Sequence, residues 1–137
     1  FILETHERPK IDRLEGGHIK ISPKVEVEDR TKLTPTQAIE LVRLTMLAGE
    51  AMIVGLAKQG IEIGRINYQD NGNWNPTLHV HLYGRAKTAT IQKYGDPITP
   101  GHQPEFKPLN DDDILAIQTA IESFEKQPKY LLESWGL

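Results

Sequence analysis

The chain has 137 residues, with 16 basic and 19 acidic side chains and no cysteine. Its length suits one domain over residues 1–137, and the lack of cysteine excludes disulfides, thiol nucleophiles and cysteine-based zinc sites. A formal charge of −3 argues against tight, sequence-independent nucleic-acid binding. No apolar segment approaches the roughly 20 residues of a membrane span, so we expect a cytoplasmic protein with neither nucleic acid nor membrane as a partner.

Three short apolar, β-prone runs precede the first helix. They predict strands over residues 1–3, 19–21 and 25–27. The charged, glycine-containing stretch 7–17 predicts a loop between the first two.

A long helix is predicted from a capping sequence. Thr34 is the expected N-cap, Pro35 follows where its missing N–H does no harm, and Gln37 completes a capping box. The helix should run to about Gln59 and end at Gly60. The stripe expected to cover a sheet comprises Ala38, Leu41, Val42, Ala48, Met52, Ile53 and Leu56. A second apolar row, which suggests that a partner covers it, comprises Leu44, Leu47, Ala51 and Val54.

The next segments predict a hairpin. Residues 61–68 and 78–84 have strand character, and the turn-rich run 70–76 connects them. Residues 86–108 contain four prolines and two glycines without a clear period, which predicts a long ordered excursion that lines or covers a site.

A second helix follows the cap Asn110 and three aspartates. Its expected buried stripe is Ile114, Leu115, Ile117, Ile121 and Phe124. Together these elements predict an α+β fold: an antiparallel sheet of about five strands, one long helix and a second, C-terminal helix.

The most informative segment carries histidines in alternation with aliphatic residues. Because side chains alternate across a strand, His79 and His81 should share one face with Thr77, while the aliphatic residues between them face the core. Neutral imidazole can act as a nucleophile toward phosphorus. The pattern therefore indicates chemistry at this strand.

The segment from Thr77 to Arg85 resembles the signature of the histidine triad superfamily, in which three histidines alternate with apolar residues before a Gly/Pro-Arg tail. That tail places Thr77 at the first triad position, His79 at the second and His81 at the third. Upstream, Gly17-His18, Pro23-Lys24 and the polar loop before the triad are similar to family segments in order and spacing. The resemblance covers residues 1–85.

The resemblance implies a nucleotide-binding hydrolase or nucleotidyl transferase without a cofactor. Its substrate would be a nucleoside phosphate, phosphoramidate or dinucleoside polyphosphate, attacked at the α-phosphate by His79. His81 would donate a hydrogen bond to a phosphate oxygen. Asn67, Gly72, Asn73 and Thr77 would contact the phosphate or the leaving side.

Two departures from the family leave a different class of protein open. Thr77 replaces a histidine, and Val25 stands where the family often has another. The chain is therefore alternatively a nucleotide-binding module with weak or no turnover.

A metal-binding protein is a further alternative. His79 and His81 would need extra ligands from His102, Glu105 or Asp96, and a third ligand at fixed spacing is absent from the sequence.

For the remaining polar and aromatic residues of interest, structural or surface roles are considered beside functional ones. A structural role is favoured for His18 and a solvated surface for Arg85 and Lys87, while Trp74 is suited either to stacking on a base or to packing the loop. The resemblance also implies a homodimer, with which the second apolar row of the long helix agrees.

Overall fold

The computed structural model describes residues 1–70, 72, 74–99 and 105–137. Within these ranges the structure contains four strands and two α-helices. The strands are β1 (Ile2–Thr5), β2 (His18–Ser22), β3 (Ile63–Gln69) and β4 (Val80–Ala86); the helices are α1 (Pro35–Lys58) and α2 (Asp111–Phe124). The four strands form one antiparallel sheet in the order β1-β2-β4-β3. Single turns of 3-10 helix lie at Arg13–Glu15, Arg30–Lys32, Pro128–Tyr130 and Leu132–Trp135.

The α+β prediction is confirmed, but the described sheet has four strands rather than five. Residues 25–27 do not form a strand. Pro23 follows directly after β2 and has no N–H to continue the ladder, and the exposed side chain of Val25 gains nothing from a sheet position. Val27 instead accepts one hydrogen bond, from the N–H of Leu78 at 2.6 Å.

Helix α1 begins as predicted. The Thr34 hydroxyl accepts a hydrogen bond from the N–H of Gln37, whose side chain accepts one from the N–H of Thr34. The two bonds satisfy donors that the first turn would otherwise leave open. Gly60 follows the helix with φ +79°, a conformation that favours glycine.

The two apolar rows of α1 were only partly predicted. Val42 and Ile53, expected in the core, are 51% and 38% exposed. Leu47 and Ala51, expected to await a partner, are buried. They lie on the same row as Gly55, where α2 crosses so closely that a Cβ would meet the backbone of Ile117 at 2.8 Å. Helix α2 thus covers much of the row assigned to a partner.

Helix α2 also begins at its predicted cap. Asn110 and Asp113 form a second capping box, and Asp113 additionally pairs with Arg13 at 2.7 Å. Ile117 is buried as predicted, whereas Leu115 is exposed.

The two faces of the sheet differ in chemistry. Ile19 and Ile21 of β2, with Val80 and Leu82 of β4, point into the apolar core with α1. The opposite face carries polar and aromatic side chains, among them His18, Lys20, His81 and Tyr83, which the antiparallel register places side by side. None of the helices in the described ranges is long and apolar enough to cross a membrane.

Candidate functional site

The two histidines identified from sequence lie next to each other. His79 precedes β4 by one residue and His81 is its second residue, and their ring centroids are 4.8 Å apart with the rings perpendicular. Nδ1 of His79 lies 2.6 Å from the carbonyl oxygen of Thr77. Because a carbonyl only accepts, Nδ1 carries a proton, and in the neutral ring the lone pair is on Nε2. This arrangement leaves Nε2 able to act as a nucleophile.

His18 is the hydrogen-bond partner of His81. Its Nε2 lies 2.8 Å from Nδ1 of His81, and its own Nδ1 accepts a hydrogen bond from the N–H of Lys10 at 3.3 Å. A neutral His18 therefore carries its proton on Nε2 and donates it to His81. His81 in turn carries its proton on Nε2. The chain of bonds fixes the tautomer of His81 so that it presents a donor.

Both partners of this bond are held in the neutral form. Burial, followed by the neighbouring His6 and His81, lowers the pKa of His18 to about 2. Burial, followed by His79 and His6, lowers the pKa of His81 to about 3. Lys10 and Lys20 act in the same direction on both. At neutral pH His81 is therefore a hydrogen-bond donor without a full positive charge.

A further histidine, His6, joins the site from the end of β1. It follows Thr5, which pairs with Ile19, and its backbone N–H donates to the carbonyl of His18 at 3.3 Å. The His6 ring stacks on that of His18, with centroids 4.5 Å apart and planes 11° apart. Sequence analysis missed this residue because nothing local marks it; only the β1–β2 register brings it here.

Two lysines lie near the histidines. Lys20 of β2 lies opposite His81 on one side and Glu4 of β1 on the other, and its Nζ is 2.6 Å from the Glu4 carboxylate. Lys10 contributes its backbone N–H to His18 and lowers the pKa of the nearby imidazoles. Because Glu4 balances the charge of Lys20, Lys10 supplies the net positive charge beside the imidazoles.

Tyr83 closes the cluster on the other side. Its ring contacts His18 at 4.5 Å and stacks on His81 at 5.6 Å between centroids. The side chain is completely buried, and among the described residues its hydroxyl has no hydrogen-bond partner. Burial raises the pKa of Tyr83 to about 12, so the phenol stays protonated.

Arg85 does not lie on a solvated surface as predicted. It is 4% exposed and donates to the side chain of Asn67 at 2.7 Å and to the carbonyls of Lys93 and Asp96, each at 2.7 Å. Its guanidinium thus holds the excursion against the sheet. The Asn67 oxygen, assigned by resemblance to phosphate binding, is engaged by Arg85 here.

Glu15 binds the same part of the excursion with the opposite charge. Its carboxylate accepts hydrogen bonds from the N–H groups of Thr90, Ile91 and Gln92 at 2.7 to 2.9 Å. Burial alone would raise the pKa of Glu15, but these bonds outweigh it and lower the pKa. The Gln92 amide also donates to the carbonyl of Lys10 at 3.1 Å, which connects the excursion to the backbone that orients His18.

The structure describes part of the loop that precedes Thr77. The Thr77 hydroxyl donates to Asn75 at 2.9 Å, and Gly72 has φ +63°, so turn geometry accounts for a glycine there. Trp74 is 92% exposed and does not pack the loop. Asn73 lies outside the described residues.

Hydrogen bonding at the cluster does not suit a metal ion. Among the described residues, the histidines that bring ring nitrogens within 4.8 Å of one another are His6, His18 and His81, a different set from the one considered above. Asp96 and Glu105 are exposed, and His102 lies outside the described ranges. A metal-bound histidine normally donates its other ring N–H, whereas Nδ1 of His6 and of His18 each accepts a backbone N–H. The 2.8 Å between His18 and His81 is also shorter than the roughly 3.3 Å between two nitrogens on one tetrahedral zinc.

An α+β fold with an antiparallel sheet presents hydrogen-bonded imidazoles beside Lys10, and their free N–H groups define a class of site suited to a ligand that accepts hydrogen bonds. No protein-family model and no curated protein matches the chain. Among solved structures, a histidine triad protein from Bradyrhizobium japonicum is similar to it, with a TM-score of 0.47 and 17% sequence identity over 77% of this chain and 73% of the other. We draw no activity from a likeness of this degree.

Proposed function

We propose that the protein is a nucleotide hydrolase or nucleotidyl transferase in which Nε2 of His79 attacks the α-phosphorus of a nucleoside phosphate, phosphoramidate or dinucleoside polyphosphate. The observation that carries the proposal is the 2.6 Å contact between Nδ1 of His79 and the Thr77 carbonyl. It orients the ring and fixes the lone pair on Nε2. As the bond to phosphorus forms, positive charge develops on the imidazole, and the carbonyl oxygen stabilises it.

The proposed reaction has two steps. In the first, an N–P bond forms at His79 while the bond from the α-phosphorus to the leaving group breaks, and the leaving group departs with the electron pair and takes a proton from solvent. In the second, water attacks the phosphorus, the N–P bond breaks, and a nucleoside monophosphate is released with free His79. Another nucleophile in place of water would make the protein a transferase.

His81 is proposed to stabilise the charge on the phosphate oxygens. Its tautomer directs an N–H away from His18, and its lowered pKa keeps the ring neutral. Lys10 and Lys20 supply the positive field. Contacts from Asn67, Gly72, Asn73 and Thr77 to the nucleotide remain predictions.

The test is intact-mass spectrometry of wild type and His79→Ala after brief incubation with adenosine phosphoramidate or a dinucleoside polyphosphate, with product release followed in parallel. Gln118→Ala, at an exposed position of α2, is the control, since the proposal gives that residue no role. We expect a nucleotidyl adduct and turnover in wild type and control, and neither in His79→Ala. An adduct that persists in His79→Ala would refute the assignment.

Thr77 supports one other function, a nucleotide-binding module without turnover, because its hydroxyl replaces a chargeable imidazole and donates to Asn75. In that case wild type would bind a nucleoside monophosphate but form neither adduct nor product. The same experiment therefore separates the two functions.

A homodimer is part of the proposal. The exposed apolar residues of α1 that support it are Ile39, Val42, Met46, Ile53 and Val54. Light scattering coupled to gel filtration would measure the mass directly; a single-chain mass of 15.5 kDa across the accessible concentration range would contradict it.

A further inference from the structure

His6 has the geometry of a binding group rather than of a packing residue. The ring is only partly buried, in contrast to that of His18, on which it stacks. Its centroid is also 5.9 Å from that of His81, and a ring nitrogen of each of the three histidines lies within 4.8 Å of the others. Two rings this close to each other can each donate a hydrogen bond to a different oxygen of one phosphate group.

The protonation of His6 suits this role. Its Nδ1 accepts a hydrogen bond from the N–H of Arg8 at 3.2 Å, so the neutral ring carries its proton on Nε2. His6 and His81 then both present Nε2–H donors, each with its other nitrogen occupied as an acceptor. The two tautomers fit an acceptor ligand and conflict with a metal ion.

The charges around His6 favour an anion. Burial, followed by Lys20 and Lys10, lowers the pKa of this imidazole. Glu4 opposes them and forms an ion pair with Lys20 at 2.6 Å, so these two charges largely balance and Lys10 supplies the net positive charge. Lys10 comes from the segment that follows His6, so both elements flanking the ring bring a cation to it.

We propose that His6 binds a phosphate oxygen of the nucleotide and supplies an imidazole contact additional to those of His79 and His81. The inference rests on the proposed function in that it concerns the same site, but it requires binding only and no turnover. His6 would reach the anion from the end of β1, beside His18 and His81.

The test compares the affinity of the full chain for adenosine monophosphate and for adenosine by titration calorimetry, in wild type, His6→Ala, His6→Gln and the control Gln118→Ala, at an exposed position of α2. Because a hydrogen bond to a charged group is lost, we expect His6→Ala to weaken binding of the monophosphate at least about tenfold. Binding of adenosine, which has no phosphate, should not change. His6→Gln, which keeps a donor at similar reach, should recover part of the loss.

Several outcomes would overturn the proposal. These are equal losses for monophosphate and adenosine, unchanged monophosphate binding in His6→Ala, or a wild type that binds no monophosphate. Stoichiometric zinc binding that is lost in His6→Ala would replace it with a metal site. If His6→Ala does not fold, the imidazole nitrogen resonances of wild-type His6 decide: they must shift when inorganic phosphate or the monophosphate is added.

The phosphate-binding role of His6 and catalysis by His79 can be refuted independently of each other. A His79 adduct together with unchanged monophosphate binding in His6→Ala would refute only the role of His6. Phosphate-dependent binding through His6 without any adduct would leave the role of His6 intact and refute catalysis.

Discussion

Lowering the pH should destabilise the fold through His18. This imidazole is 1% exposed and has a pKa of about 2, against an ordinary value near 6.5 in the unfolded chain. Between these values the unfolded state binds a proton that the folded state does not, so stability falls as the pH falls below 6.5, at about 1.4 kcal/mol per pH unit. From pH 8 to pH 5 His18 alone should cost about 2 kcal/mol. His81 and His6, whose pKa values are also lowered, act in the same direction.

Urea unfolding of wild type and His18→Asn at pH 8, 7, 6 and 5 would measure this loss. Asparagine keeps an oxygen able to accept the Lys10 N–H but does not titrate, so the variant should lose about 2 kcal/mol less than wild type over the same range. Carboxylates with a lowered pKa, such as Glu15, contribute equally to both proteins and cancel in the comparison. Equal losses in the two proteins, or a His18 resonance that titrates near pH 6.5 in the folded state, would refute the reasoning.

Two further predictions concern the backbone around the site. Gly84→Ala should destabilise the fold by about 3 kcal/mol, because the new Cβ would lie 2.0 Å from the carbonyl oxygen of Gly16. Urea unfolding should show a smaller loss for Gly60→Ala, whose Cβ would meet no atom within 4 Å. A larger loss for Gly60→Ala than for Gly84→Ala would contradict the packing argument. Thr77→Ala should form the His79 adduct no more than about tenfold more slowly than wild type, since the backbone carbonyl that orients His79 is kept and the hydroxyl contributes at most one neutral hydrogen bond to the nucleotide. An adduct formed a hundredfold more slowly in rapid-quench mass spectrometry would contradict this prediction.

Features with local causes were predictable from the sequence. The caps at Thr34 and Asn110 need only neighbours three residues away, and both capping boxes are present. The alternation around His79 and His81 likewise follows from the period of a strand, and Leu78, Val80 and Leu82 are buried on the other side.

Features that depend on distant partners were not predictable. His6 reaches the cluster only through the register that follows Thr5 opposite Ile19. Val42 was misplaced because the orientation of α1 depends on where α2 crosses, a contact that the periodicity of one helix does not contain. Arg85 looked like a surface cation because its acceptors are mainly carbonyls, which have no signature in a sequence.

The hydrogen bonds that Glu15 and Arg85 form with residues 90–96 are mostly to main-chain atoms. Main-chain groups are the same whatever side chain a residue carries, so these hydrogen bonds do not depend on which residues occupy most positions of the segment. The side chains of Ile91 and Lys93 are exposed there, while the Gln92 amide ties the segment to Lys10. Substitutions at the exposed positions of the segment should therefore leave its attachment to Glu15, Arg85 and Lys10 in place.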